Sequence, residues 1–236
     1  MLEAISNDLR QLPLFAAIAE ETFPTLLKAA YDQSIPPYVT VIQEGAPAAF
    51  LHVVIEGTVE LYGTAHGRDA TMAINRPVST FILAASVRDA PYLMSARTLQ
   101  RSRILLIPSE NVRAAILSDS RFAMNAMQDL AGCYRGMVRH TKTLKLLNTR
   151  ERIAAYLLQQ SQLHGDAPGF VLPIEKRLIA SYLGMTAENL SRALKSLAEH
   201  GCKIDGQRVI ITDRHKFEAL ATRGRHLIAE PGGFGL

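Results

Sequence analysis

Apolar positions three and four residues apart organise the carboxy-terminal half of the chain. Between Leu172 and Gly201 they fall into two sets, Ile174, Leu178, Ile179 and Leu183, then Leu190, Ala193, Leu194 and Leu197. Each set makes one face of a helix, Gly184 supplies a sharp break between them, and Thr186 can cap the second helix. Two helices set at an angle by so short a turn predict a helix-turn-helix. From Cys202 to Asp213, short apolar runs flank Asp205 and Gly206, a two-residue hairpin signal that adds a wing. Upstream, Met127, Leu130, Tyr134, Met137, Thr141 and Leu144 alternate by three and four along a long helix from about Asp119 to Asn148. That spacing is the seam of a coiled coil and predicts a homodimer, with Thr141 its weak point; packing against the amino-terminal half is the competing use of the same face. Asn148 and Glu151 are spaced as a capping box, so the hinge is expected near Leu147 to Thr149, with a second helix ending at Gly165.

The amino-terminal half changes period. Short β-rich segments (VTVIQEG, AAFLHVVIEGTVELYG, TMAINR, STFILAA and SRILLIP) are separated by turn residues, with Glu56 and Gly57 expected to close a tight hairpin. A small antiparallel barrel or jelly roll follows. The predicted fold is therefore α+β, in four parts: a β-barrel with leading helices at 1–118, a dimerisation helix and hinge at 119–148, a winged helix-turn-helix at 149–222 and a flexible tail at 223–236.

The outward residues of the second helix carry chemistry suited to DNA. Arg192 can donate two parallel bonds to guanine, Glu188 can accept from a cytosine amino group, and Ser191 is short enough for close base contact. Thr186, Asn189, Lys176, Lys195 and Arg208 suit phosphate contacts that position without reading sequence, and Arg214 beside the wing can do the same. The alternative class is an interaction scaffold that does not bind DNA, with this face merely solvated; salt-sensitive DNA binding separates the two.

Composition narrows the picture. The chain of 236 residues is 48% hydrophobic, enough for a core in each half, and its net charge is +4. From Thr149 onward twelve Lys and Arg stand against nine Asp and Glu, so the excess lies in the half expected to bind DNA. No run nears the roughly 20 apolar residues of a membrane span, and the start MLEAISNDLR lacks a signal peptide's basic and apolar regions, so a cytoplasmic location is expected. No P-loop, G-x-S-x-G, H-E-x-x-H or dinucleotide fingerprint is present, and no enzymatic activity is expected.

The segment LPIEKRLIASYLGMTAENLSRALKSL resembles the carboxy-terminal domain of the cyclic-AMP receptor protein and fumarate-nitrate regulator (Crp/Fnr) superfamily of transcription regulators. Its E-x-x-S-R pattern, here Glu188, Ser191 and Arg192, is similar to the fumarate-nitrate branch. That resemblance implies double-stranded DNA with TTGAT-like half-sites, Arg192 on the guanine, and RNA polymerase as a partner. VIQEG and LHVVIEGTVELYG resemble the cyclic-nucleotide-binding barrel of the same superfamily, and LRQLPLFAAIAEETFPTLLKAA its leading helices. The nucleotide pocket departs from the pattern. Where cyclic-nucleotide binders carry Gly-Glu-Leu and then Arg-Ser, the chain reads FILAASVRDAPYLMSARTL, with Ile82 and Leu83 near the lost Glu and Tyr92 and Leu93 replacing Arg-Ser. Without a ribose acceptor and a phosphate clamp, cyclic AMP is not the expected effector, although Arg88 and Arg97 leave a shifted anionic site open. Ile82, Leu83, Tyr92, Leu93 and Met94 would instead suit an apolar pocket for haem or another hydrophobic effector, with His52, His66 or Met72 as candidate axial ligands. Some relatives sense nitric oxide through haem and others act with no known ligand. Cys133 and Cys202 fall short of the four thiolates of a four-iron cluster, and Cys202, beside the recognition helix, leaves cysteine-redox control as an alternative.

Overall fold

A computed structural model describes residues 9–172 and 174–221; the tail expected at 223–236 lies outside the described residues. The amino-terminal unit opens with a 3-10 turn at Pro13–Phe15 and helix α1 (Thr22–Leu27). Strands β1 (Tyr31–Ile35), β2 (Thr40–Ile42), β3 (Phe50–Glu56), β4 (Val59–Ala65), β5 (Arg68–Asn75) and β6 (Ser79–Phe81) follow, then α2 (Leu83–Arg88), β7 (Ser95–Thr98) and β8 (Ser102–Pro108). They build two antiparallel sheets of order β1-β8-β3-β6 and β2-β7-β4-β5. Alternation along β3 feeds two cores. Leu51, Val53 and Ile55 pack with Phe15, Phe23, Leu105, Ile107 and Phe122 on one side of their sheet. Val54 joins Val59, Leu61, Phe81, Tyr92, Ala96 and Ile104 between the two sheets.

Two local expectations give way to this topology. Glu56 and Gly57 do not close a hairpin, because β3 pairs with β8 and β6 while β4 pairs with β7 and β5. The turn instead carries the chain from one sheet to the other. Gly57 has φ +94°, and a Cβ there would sit 2.2 Å from Ser102 Oγ, so the chain passes hard against the start of β8. The segment STFILAA is strand only to Phe81 and turns helical from Leu83. Strands β1 and β7 were not foreseen, since the polar and exposed YDQSI and the small residues of SART lack apolar alternation.

Helix α3 (Ser109–Ser118) leads to the long α4 (Ser120–Leu146), which matches the predicted span closely. Asp119 begins it, accepting from the N–H groups of Arg121 at 2.8 Å and Phe122 at 3.1 Å, and from Ala19 N–H and the Thr22 hydroxyl. Packing divides the chain inside α4, between Tyr134 and Arg135, so this helix is shared by both units rather than forming a part of its own. The carboxy-terminal unit continues with α5 (Thr149–Leu163), β9 (Gly169–Val171), α6 (Lys176–Tyr182), α7 (Ala187–Ser196), a 3-10 turn at Leu197–His200, β10 (Cys202–Asp205), β11 (Arg208–Ile211) and α8 (Arg214–Ala221). The predicted capping box is present: Asn148 Oδ1 accepts from Glu151 N–H at 3.1 Å, and Glu151 accepts from Asn148 N–H at 2.9 Å. The wing turn sits one residue later than expected, at Gly206 and Gln207, because Asp205 pairs with Arg208. A third strand, β9, pairs with β11 and completes the wing sheet.

Candidate nucleic-acid interface

The second unit folds so as to hold α7 by its apolar side. Ile174, Leu178, Ile179 and Leu183 are buried, as are Leu190, Leu194 and Leu197, while Ala193 is half-buried. Gly184, at φ +65°, makes the break between α6 and α7. The turn is pinned from two sides: a Cβ at Gly184 would lie 3.0 Å from a Leu144 methyl, and Arg152 Nη1 donates to Leu183 O at 2.7 Å. Arg152 was not among the residues expected to matter, and nothing in its local pattern marks it. Thr186 caps α7 as predicted, accepting from Asn189 N–H at 3.2 Å.

Glu188, Asn189, Ser191, Arg192 and Lys195 are all exposed on the face this packing leaves outward. The Glu188 carboxyl is held below its usual range by its own backbone N–H, then by the Thr186 hydroxyl and the Arg192 charge, so it is an acceptor at neutral pH. Arg192 Nη2 donates to Asn189 Oδ1 at 2.5 Å. Lys176 opens α6 half-buried, and Arg208 is exposed on β11. Arg214 has a different role from the one expected. It binds Asp166 at 2.6 Å and Glu218 at 2.9 Å, tying α8 to the loop after α5.

Along α4, Met127, Tyr134, Met137, Thr141 and Leu144 are exposed, with Tyr134 at 70%. Met124 and Val138 add to this apolar surface. Leu130 is half-buried and packs on the core that contains Phe15 and Phe122. On the carboxy-terminal part of the helix, His140 stacks on Tyr182 with ring centroids 4.4 Å apart, so that flank of α4 is engaged with α6.

The candidate effector residues are divided between the two cores and the surface. Tyr92 is buried between the sheets with Ile82 and Met94 against the same core, but Leu83 belongs to the other core and Leu93 is 84% exposed. The Tyr92 hydroxyl donates to Phe50 O at 3.0 Å and accepts from Phe50 N–H. The three candidate haem ligands are dispersed as well. His66 lies in the exposed β4–β5 turn and Met72 is exposed on β5, whereas His52 is buried against Phe81 and Tyr92 at 5.1 and 6.2 Å. Burial pushes the His52 imidazole down to about 4, with the Phe50 backbone offsetting part of the effect, so the ring is neutral near pH 7.

Arg97 is no anion ligand in waiting. Its Nε donates to Glu60 at 2.7 Å and its Nη1 to Asp69 at 2.8 Å, and its guanidinium lies 4.2 Å from the Tyr62 ring centroid. Glu60 and Tyr62 alternate with the core residues Val59 and Leu61, which puts this network on the opposite face of the sheet from the interior. Both thiols are protonated at neutral pH. Burial raises Cys202 to about 11, and burial together with the Asp129 charge raises Cys133 to about 11.

Comparison with known proteins agrees with this geometry. Residues 32–119 match the family model of the cyclic nucleotide-binding domain, and residues 151–220 that of the Crp-like helix-turn-helix domain. Electron transport regulator A of Shewanella oneidensis is 22% identical over 190 residues, covering 78% of this chain and 76% of that protein. The Cyclic AMP receptor protein of Thermus thermophilus is 26% identical over 190 residues, 80% of this chain and 87% of that protein. The solved structure of FixK2 from Bradyrhizobium japonicum, 24% identical, superposes with a TM-score of 0.71 over 81% of this chain and 97% of that one. With a cyclic nucleotide-binding domain and a Crp-like helix-turn-helix domain matched in this order along one chain, the chain belongs to the Crp/Fnr superfamily of DNA-binding transcription regulators.

Proposed function

We propose that the protein works as a homodimer that reads a palindromic, TTGAT-like site and is not controlled by cyclic AMP. The observation that carries this reading is the outward face of α7, where Glu188, Ser191 and Arg192 stand together at the start of a capped helix held by its apolar side. A helix presented that way enters the major groove with its first turns at the base edges. Arg192 would take the guanine, Glu188 and Ser191 the neighbouring bases, and Thr186, Lys176, Lys195 and Arg208 the backbone. The exposed apolar residues of α4 would pair two copies, with RNA polymerase the partner at a promoter. Against cyclic AMP stand the apolar replacements at Ile82, Leu83, Tyr92 and Leu93, and the engagement of Arg97 by Glu60 and Asp69.

Selection of duplexes from a random pool tests the reading. The expected product is an inverted repeat of TTGAT-like half-sites, roughly 10 base pairs centre to centre. Recovery of single, non-repeated sites would remove the dimeric mode, and no enrichment at all would remove sequence reading. Calorimetry at millimolar cyclic AMP should give no saturable heat, and saturable heat accompanied by tighter DNA binding would overturn the ligand inference.

A further inference from the structure

The hydrogen bond between Asn189 and Arg192 gives Asn189 a role other than that of a phosphate contact. A guanidinium only donates, so the atom of Asn189 turned toward it is the carbonyl oxygen, at 2.5 Å from Nη2, and the amide nitrogen points to the other side. Asn189 is itself seated from below, because its backbone N–H is the one the Thr186 hydroxyl accepts at 3.2 Å. The cap of α7 thus connects through one exposed side chain to the group expected to read guanine. An exposed arginine has many rotamers, and a base contact must freeze them; a partner one turn away can do part of that before DNA arrives.

We propose that Asn189 is a positioning residue for sequence reading, acting through Arg192 by holding its planar fork in place. The proposal rests on α7 being the recognition helix. A phosphate anchor and a positioning residue leave different traces. Loss of a neutral phosphate contact weakens binding alike on every sequence, whereas loss of a positioning contact falls on one base pair.

The test uses the full chain with Asn189→Ala and Asn189→Asp. Alanine suits the helix and the Thr186 cap uses only the backbone of position 189, so both variants keep the fold. In the DNA-free protein, nitrogen-15 spectra of the Arg192 side chain, assigned by its loss in Arg192→Lys, should show separate, slowly exchanging Nη signals in the natural protein and in Asn189→Asp, and averaged signals in Asn189→Ala. On selected duplexes with and without the guanine, Asn189→Ala should lose roughly three- to tenfold of the discrimination. Asn189→Asp should keep the discrimination while weakening all duplexes equally, because its charge meets phosphate. If the natural protein discriminates but Asn189→Ala discriminates as well as it does, whether at full affinity or with a uniform loss on every duplex, the proposal is overturned and the recognition helix stands. If the natural protein binds every duplex alike, the recognition-helix reading falls and takes the proposal with it.

Discussion

Glu60 and His52 are both buried polar side chains of the barrel, and they have opposite relations to charge. Glu60 is 1% exposed and paired with Arg97 at 2.7 Å, with Thr71 donating to its other oxygen at 2.6 Å. Removing one partner of such a pair strands the other, so Arg97→Ala should lower stability by about 3 kcal/mol. A denaturant midpoint unchanged by the substitution would show that Glu60 is satisfied without it. His52 is neutral instead. Its Nδ1 has no hydrogen-bond partner among the described residues, and its folded value near 4 lies below the ordinary 6.5. Above pH 6.5 neither folded nor unfolded chain carries the proton and stability is full. As pH falls from 6.5 toward 4, the unfolded chain takes up a proton that the folded one refuses, and stability drops by about 1.4 kcal/mol per unit, to a total of about 3 kcal/mol. His52→Phe should flatten that part of the profile, as read from urea midpoints at pH 7 and 4.5. Equal losses in variant and natural protein would place the acid sensitivity elsewhere.

At the scale of the elements, α4 separates the two uses of one amphipathic helix. Met137 is exposed and Leu130 rests on the barrel core, although both belong to the same three-and-four spacing. If α4 pairs two copies as proposed, Met137→Glu should dissociate them while leaving the thermal transition of the barrel in place, and Leu130→Asn should lower that transition by burying an unpaired amide. Sedimentation and calorimetry of the two variants check this, and a monomeric Leu130→Asn with unchanged melting would reverse the assignment. Periodicity could show the helix but not which turns face which partner, because both environments are apolar. The caps and turns of the winged unit were legible to within a residue, since Gly184, Thr186, Asn148 and Glu151 act through contacts within a turn of themselves, whereas β9 was not, because it is held by pairing with the distant β11. In the barrel, β8 was legible from SRILLIP, but the fate of Glu56 and Gly57 was not. It depends on pairings of β3 with β8 and β4 with β7 between residues 33 to 58 positions apart, which outweigh a local turn preference. Arg97 likewise looked available for an anion because its partners, Glu60 on β4 and Asp69 on β5, come from other strands. The bond from Asn189 to Arg192 had a signal, a donor and an acceptor three residues apart, that the DNA reading of the same face obscured.

For the whole molecule, the proposed function requires two copies of α7 to address one duplex, with Arg192 as the group that reads it. The most direct measurement is a titration of the natural protein and Arg192→Ala against four duplexes: the selected palindrome, the palindrome with one half-site scrambled, the palindrome with each guanine replaced, and unrelated DNA. The natural protein should bind the palindrome most tightly, lose affinity when either half-site is scrambled and lose it again when the guanines are replaced. Arg192→Ala should bind the palindrome more weakly by about 1 to 3 kcal/mol per half-site, and should no longer distinguish it from the guanine-replaced duplex. Equal weakening of Arg192→Ala on all four duplexes, with the preference for the guanine intact, would contradict the assignment and reduce Arg192 to a phosphate contact.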